Sequence, residues 1–372
     1  MKGCYILIGT ASADDHTGIG LKIRNQIKAF NDAGLNFEEY VLPVSKSKLL
    51  ALEYRLPFAN ANPVWSCPDL FKKVDCIYMR RPFVMNWAMR KVFREIKQAN
   101  PQVKIVVEIP TYPYDAEYNT YKIKSMLIVK DKYNRVRMDG LVDRFAVLSG
   151  EKEVFGIPTV RIVNGIDVDA VEVRRPIHLD DGSLHICAVA AFKEWHGYER
   201  IIEGVKDYYS GGGTRNLVFH FAGEGSALPG YRQLVSEYGL EDHFIFHGYI
   251  EGQALDDIYN QCTLALGSFG MYKIGINLAC NLKSREAVAR GIPMVTGCPT
   301  DIYVKEKYRY FMEFPNDPSS VDIQRVIDFN DEIYKEDEET VINTIRQYAY
   351  DNISMDTAMK DVIDFFKGTS RH

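Results

Sequence analysis

"NLVFHFAGEGS", residues Asn216–Ser226, is a short run of β-branched and aromatic residues that stops at a glycine and turns through a second one two positions later. Too short for a helix and closed by glycine, Asn216–Gly223 predicts a strand that ends in a tight turn. The same design recurs on either side. "LHICAVAAF" (Leu184–Phe192), "HFIFHGYI" (His243–Ile250), "TLALGSF" (Thr263–Phe269) and "IPMVTG" (Ile292–Gly297) are the neighbouring strands, with helical patterns near Gly197–Tyr209, Pro229–Tyr238, Leu255–Gln261 and Leu282–Arg290 between them. Apolar strands alternating with amphipathic helices predict a parallel sheet covered on both faces.

Towards the N-terminus the alternation repeats. Strands are expected at Cys4–Ala11, Phe37–Pro43, Cys76–Pro82, Val103–Pro110 and Arg144–Ser149, with helices near Gly20–Asp32, Asn86–Ala99 and Ala116–Arg137 and an irregular insertion over Ser45–Ser66. "VDAVEVRRPIHLDDGS" (Val168–Ser183) is polar and unpatterned and reads as a linker. The fold class is therefore α/β, with two Rossmann-like, doubly wound parallel-sheet lobes facing a cleft. Their expected bounds are 1–168, a linker over 169–183, and 184–349, with a last helix over about 350–372 packing back on the first lobe. Ligands of such sheets bind outside the carboxyl ends of the strands.

The chain has 372 residues, 46% of them hydrophobic and 26% charged, with a net charge of -5. No apolar run reaches the roughly 18–20 residues of a membrane span, and the apolar stretch in "MKGCYILIGTASADD" is too short and too early for a signal peptide, so a cytoplasmic protein is expected. The seven cysteines are scattered without metal-ligand spacing and read as free thiols. Lys72–Arg137 carries 15 Lys and Arg against 6 Asp and Glu, whereas 301–372 carries 9 against 16. The basic first half suits an anionic membrane face or a phosphorylated acceptor.

"GTASADDHTGIG" after the first strand lacks G-x-G-x-x-G opening a helix directly, which argues against a nicotinamide site. A P-loop, a G-x-S-x-G elbow, a metal-ligand cluster and an aromatic-and-basic nucleic-acid pattern are also missing from the sequence. What the second half offers instead is polar strand ends. "AAFKEWHGYER" places Lys193 and His196 ahead of a helix, "AGEGS" follows the next strand, and "NLKSREAVARGIP" puts Lys283 in the first turn of a helix opened by Asn281 and stopped by Gly291. A cation at a helix N-terminus opposes the dipole by roughly 0.3–1 kcal/mol unless an anion arrives.

In order and spacing, "FHFAGEGS", "YGLEDHFIFHGYI", "LDDIYNQCTLALGS" and "REAVARGIPMVTG" resemble the C-terminal lobe of GT-B glycosyltransferases of family GT4. "TGIGLKIRNQIKAFNDAGLNFEEYVL" and the "NGID" at Asn164–Asp167 are similar to that family's first lobe and lobe junction, so the resemblance runs from about Cys4 to about Thr296. "EIPTYPYDAEY" (Glu108–Tyr118), "WHG" (Trp195–Gly197) and "LKSRE" (Leu282–Glu286) look like a bacterial subgroup associated with capsule or exopolysaccharide assembly.

The resemblance implies a retaining sugar transfer from a nucleotide-diphosphate donor, without a cofactor or metal, to a saccharide or lipid-linked acceptor, with peripheral contact at the inner membrane face and no role for nucleic acid. Glu286 matches the second signature glutamate, which holds the ribose hydroxyls; Tyr249 and Ile250 match the stretch against the base; Gly225 lies in the glycine turn. Lys283 is similar to a phosphate-binding cation, and Lys193 or His196 supplies the other. No nucleophile is assignable; Lys193 and Lys283 are the candidate catalytic groups, since cations beside a departing diphosphate lower the barrier. On the acceptor or phosphate side stand His16, Gly18, Gly20, Arg80, Arg81, Glu108 and Asp115. Leu278 occupies the place of the first signature glutamate, and backbone N–H groups of "GMYKIG" or Asn277 are its candidate replacements. A non-catalytic nucleotide-sugar binder and a GT-B nucleotide-sugar epimerase are the alternative readings.

Overall fold

The computed structural model describes residues 1–8, 18–44, 65–110, 112–115, 124–148, 150–177, 179, 181–279, 281–302 and 308–369. His16 and most of the Ser45–Ser66 insertion lie outside them. The described residues form two compact units, one of residues 1–165 and 355–372, the other of 166–354.

In the first unit the strands are β1 (Gly3–Ile8), β2 (Phe37–Leu42), β3 (Cys76–Arg80), β4 (Lys104–Ile109), β5 (Arg144–Val147), β6 (Glu153–Val154) and β7 (Ile157–Arg161). They form one sheet in the order β2-β1-β3-β4-β5-β7-β6, parallel apart from the β6–β7 hairpin. Its helices are α1 (Gly18–Asp32), α2 (Asp69–Lys73), α3 (Trp87–Ala99), α4 (Lys124–Arg135) and, from the end of the chain, α11 (Met355–Lys367). Strand periodicity of two divides the core between the faces. Cys4 and Ile6 of β1 join Phe71, Met89 and Phe93 on one side, while Tyr5 and Leu7 join Phe30 of α1 and Met359, Val362 and Phe366 of α11 on the other. Phe30 meets Phe366 edge-on at 5.9 Å between ring centroids, so the last helix closes the second face.

Helix α1 begins at Gly18, two residues before the sequence places it. Gly18 and Gly20 therefore belong to its first turn, not to a free loop. The β6–β7 hairpin escapes a reading by apolar runs because β6 has two residues; its turn is Phe155-Gly156, both at positive φ (55° and 83°), as a two-residue hairpin of type I′ requires.

In the second unit β8 (Leu184–Val189), β9 (Leu217–Ala222), β10 (Phe244–Gly248), β11 (Leu264–Leu266), β12 (Met294–Thr296) and β13 (Phe311–Glu313) form an all-parallel sheet in the order β10-β9-β8-β11-β12-β13. Helices α5 (Glu199–Ser210), α6 (Leu228–Glu237), α7 (Gln253–Gln261), α8 (Leu282–Ala289), α9 (Ile323–Ile333) and α10 (Glu338–Ile353) cover it. Two apolar clusters result. Ile186, Phe219 and Phe221 pack with Ile201, Val205 and Val326 on one face, and Cys187, Ala222 and Met294 pack with Tyr259, Val288 and Ile345 on the other. The chain runs β8 to β10 in one direction, then returns to β8's other side with β11, and that reversal opens the sheet's crevice between β8 and β11.

Candidate functional site

Four strand-end loops interlock above the carboxyl edge of the second sheet. After β8, residues 194–196 make one 3₁₀ turn that Gly197 ends at φ 66°. The loop after β11 crosses it so closely that Phe269 N–H donates to the His196 carbonyl at 2.7 Å and a Cβ on Gly197 would stand 2.3 Å from the Gly270 nitrogen. No side chain fits there, which accounts for "HG" and "SFG" at the two crossing points. Gly225 is a second close approach, since its Cβ would lie 2.0 Å from the Phe192 carbonyl oxygen. The β10 end is tied in through Gly223 N–H, which donates to the Gly248 carbonyl at 2.7 Å.

Onto this crossing the structure brings Lys193, His196 and Lys283. His196 Nδ1 accepts the Lys193 N–H at 3.0 Å, so a neutral ring carries its proton on Nε2 and offers it as a donor. Burial, then the neighbouring ammonium groups of Lys283 and Lys193, push its pKa down to about 3. Lys283 reaches back from the first turn of α8 to Tyr198 Oη (3.0 Å) and the Gly267 carbonyl (3.3 Å). Burial lowers its pKa to about 7. Neither lysine has an ion pair among the described residues. Two uncompensated cations and an imidazole N–H at a sheet's switch point form a site that an anion would complete.

Helix α8 starts where its punctuation places it, but Asn281 does not cap it with its side chain; Asn281 Nδ2 donates to the buried Ser268 Oγ at 3.1 Å and fastens α8 to the β11 loop. Gly291 closes the helix at φ 81°. One turn after Lys283, Glu286 accepts from Arg290 Nη2 (3.2 Å) and Nε (3.4 Å), both on Oε1, and Arg290 Nη1 is held by Asp256 Oδ1 at 2.6 Å. Oε2 of Glu286 makes no hydrogen bond among the described residues, so it is available to an incoming hydroxyl. Tyr249 is 71% exposed, with Oη on Glu251, and Ile250 is half-buried against the apolar cluster. Leu278 is also exposed, in the connection whose next residue, Ala279, pairs with Thr300.

Sequence reasoning missed the support beneath the crossing. Arg200 is 1% exposed and donates to the carbonyls of Phe269 (2.7 Å), Pro315 (3.0 Å) and Ser319 (2.5 Å), holding the β11 loop and the segment before α9 together. A fully buried arginine has no periodic signature on a helix such as α5.

In the first unit the acceptor-side candidates fall into two groups. Glu108, wholly buried at the end of β4, accepts from Tyr78 Oη (2.6 Å), Lys22 Nζ (2.8 Å) and Gln26 Nε2 (2.9 Å). Burial alone would raise its pKa, but Lys22, Arg80 and those hydrogen bonds outweigh it and hold the carboxyl at about 2. Its oxygens are spent on internal donors, so it joins β3, β4 and α1. Arg81 stacks on Tyr114 (3.8 Å) and donates to the carbonyls of Pro82 and Phe83, and Asp115 pairs with Arg135 (2.5 Å) and Lys132 (3.1 Å).

Residues 170–317 match the family model described as Glycosyl transferases group 1. The matched span contains Lys193, His196, Gly225, Tyr249, Ile250, Lys283 and Glu286. Solved structures share the fold over the full length of the chain. The lipopolysaccharide outer core galactosyltransferase WaaB in its apo form superposes with a TM-score of 0.59 at 13% identity over 100% of both chains. Sucrose-phosphate synthase of Thermosynechococcus elongatus gives 0.61 at 13% identity over 99% of this chain and 100% of its own. Anabaena HepE in complex with UDP gives 0.58 at 11% identity over the same shares, 99% and 100%. No curated protein matches the sequence. Two parallel-sheet α/β units of this kind are the GT-B fold of those glycosyltransferases. The group 1 match thus lies within the second unit of a GT-B fold.

Proposed function

We propose that the protein is a retaining glycosyltransferase that moves a sugar from a nucleotide-diphosphate donor to a saccharide or lipid-linked acceptor in bacterial surface polysaccharide or glycoconjugate synthesis. The observation that carries the reading is the Lys193–His196–Lys283 cluster at the switch point of the group 1 region. Departure of a nucleoside diphosphate builds negative charge on phosphate oxygen while the sugar becomes oxocarbenium-like. Lys283 and either Lys193 or the His196 Nε2–H stabilise that charge without a metal. Glu286 Oε2 holds the ribose, and Tyr249 and Ile250 receive the base. The leaving phosphate takes the acceptor's proton on the same face of the sugar, so no protein nucleophile is needed. The basic first half favours an acceptor at an anionic membrane face from the cytoplasmic side.

Transfer and donor hydrolysis with a panel of UDP-, GDP- and CMP-sugars test the proposal; HepE, which shares the fold, has been crystallised with UDP and UDP-glucose, so uridine donors come first. Release of nucleotide with the anomeric configuration kept supports it. Inversion at the anomeric carbon, or a free epimerised sugar formed without acceptor, contradicts it. The exposed Leu278, where a carboxylate is expected, favours one second reading, a nucleotide-sugar binder without turnover. Nucleotide affinity with no transfer to any acceptor would identify that case.

A further inference from the structure

Three histidines on adjacent strands of the second unit are joined ring to ring. His185 on β8, His220 on β9 and His247 on β10 give Nδ1···Nε2 separations of 2.8 Å and 3.0 Å, and Asp181 Oδ2 stands 3.2 Å from His185 Nε2. His185 and His220 are buried, and the His220 and His247 rings stack within 8° of parallel.

The hydrogen-bond inventory orients the whole chain. Asp181 is held ionised, first by the Ser183 N–H, and an ionised carboxylate only accepts. His185 Nε2 must then carry the proton, which leaves its Nδ1 bare to accept from His220 Nε2–H. By the same step His220 Nδ1 accepts from His247 Nε2–H. With all three rings neutral, one acid thus fixes three tautomers, and each buried ring nitrogen is satisfied in that sense.

The chain ends at an irregularity. Phe246 pairs with Phe221 and Gly248 with Ala222, so His247 is the extra residue of a bulge in edge strand β10. Two bonds pin this bulge: His247 to His220 through side chains, and the Gly223 N–H to the Gly248 carbonyl at 2.7 Å through backbone. Gly248 then turns at φ 71° into Tyr249 and Ile250. Bulges re-aim the residues that follow them.

We propose that the Asp181–His185–His220–His247 chain is a positioning device for the nucleotide base: it holds the β10 bulge in the one arrangement that presents Tyr249 and Ile250 to the donor. The proposal rests on the nucleotide-sugar reading for its ligand. His247 acts through the bulge and touches no reacting atom, so its effect is on nucleotide affinity and base choice.

The probes are UDP, GDP and inorganic pyrophosphate, titrated calorimetrically into wild type, His247→Ala and His247→Gln. A glutamine amide nitrogen falls near the imidazole Nε2 position and keeps the donor. Expected are a roughly tenfold weaker Kd for the preferred nucleotide in His247→Ala, a Kd within about twofold of wild type in His247→Gln, and unchanged pyrophosphate affinity in both. In the ligand-free protein, backbone amides of 248–252 should exchange at least about tenfold faster in His247→Ala and not in His247→Gln. Histidine ¹⁵N resonances of the wild type should report the Nε2–H tautomer at all three positions. Wild-type nucleotide affinity in His247→Ala, or an equal loss of pyrophosphate affinity, overturns the positioning role alone. A wild type that binds neither nucleotide overturns the functional reading and this ligand with it, and unchanged amide exchange in His247→Ala removes the pin itself.

Discussion

Lys283 carries a buried charge whose cost is relieved by deprotonation or by an anionic ligand. Its ammonium is buried between Tyr198 and Gly267 with no carboxylate among the described residues, and its pKa falls from the ordinary 10.5 to about 7. Because the unfolded chain holds that proton up to its ordinary pKa and the folded chain only to about 7, stability is greatest above pH 10.5 and declines as pH falls towards 7. The residue keeps some exposure, which makes the penalty smaller than that of a fully buried ammonium. Lys283→Met should therefore stabilise the ligand-free protein at pH 7, by on the order of 1 kcal/mol in a denaturant titration, with the gain shrinking towards pH 10.5. A loss of stability at pH 7 would show that the ammonium is satisfied without an anion. Calorimetry at pH 8.5 in buffers of different ionisation enthalpy should also detect proton uptake as nucleotide binds. At this scale the sequence was legible where punctuation marked position: Asn281, Gly291 and Pro293 bracket α8 and put Lys283 in its first turn. It was illegible where a side chain's partner lay on another element. Asn281 reads as a cap but serves Ser268, and Glu108 reads as a strand-end acid but is consumed by Tyr78, Lys22 and Gln26.

Among the elements, the decisive one is the crossing of the β8 and β11 loops. Gly197 and Gly270 approach so closely that a methyl group on Gly197 would meet backbone, in addition to the strain of φ 66°. Gly197→Ala should destabilise the protein by about 2–4 kcal/mol and abolish nucleotide binding, because the His196 carbonyl and the Phe269 N–H can no longer meet. Thermal unfolding within a degree of wild type would mean that the loops open independently. Strands and helices of the second unit were readable because parallel strands are apolar on both faces and their ends are marked by Gly223, Gly248 and Gly291. Register was not. His185, His220 and His247 are separated by 35 and 27 positions and look like unrelated strand residues until β8, β9 and β10 are laid side by side.

Over the whole molecule, both units repeat one plan with different outcomes at the carboxyl ends of their strands. In the first, the buried carboxylate Glu108 is neutralised internally by Lys22. In the second, Lys193 and Lys283 are left without acids, and the group 1 match coincides with that imbalance. The α/β class and the two-sheet architecture follow from the alternation of apolar and amphipathic runs; the last helix, α11, packs on the first unit through Phe366 and Met359, in one cluster with Phe30 and Tyr5 more than 300 positions away. Whether the second unit binds a nucleoside diphosphate through Lys283 and Glu286 is decided by calorimetric titration of UDP and GDP into the wild type, Lys283→Ala and Glu286→Ala. Expected are binding by the wild type and losses on the order of 1–3 kcal/mol in each variant, as charge-assisted bonds require. Wild-type affinity in both variants, or no affinity in any of the three proteins, would contradict it.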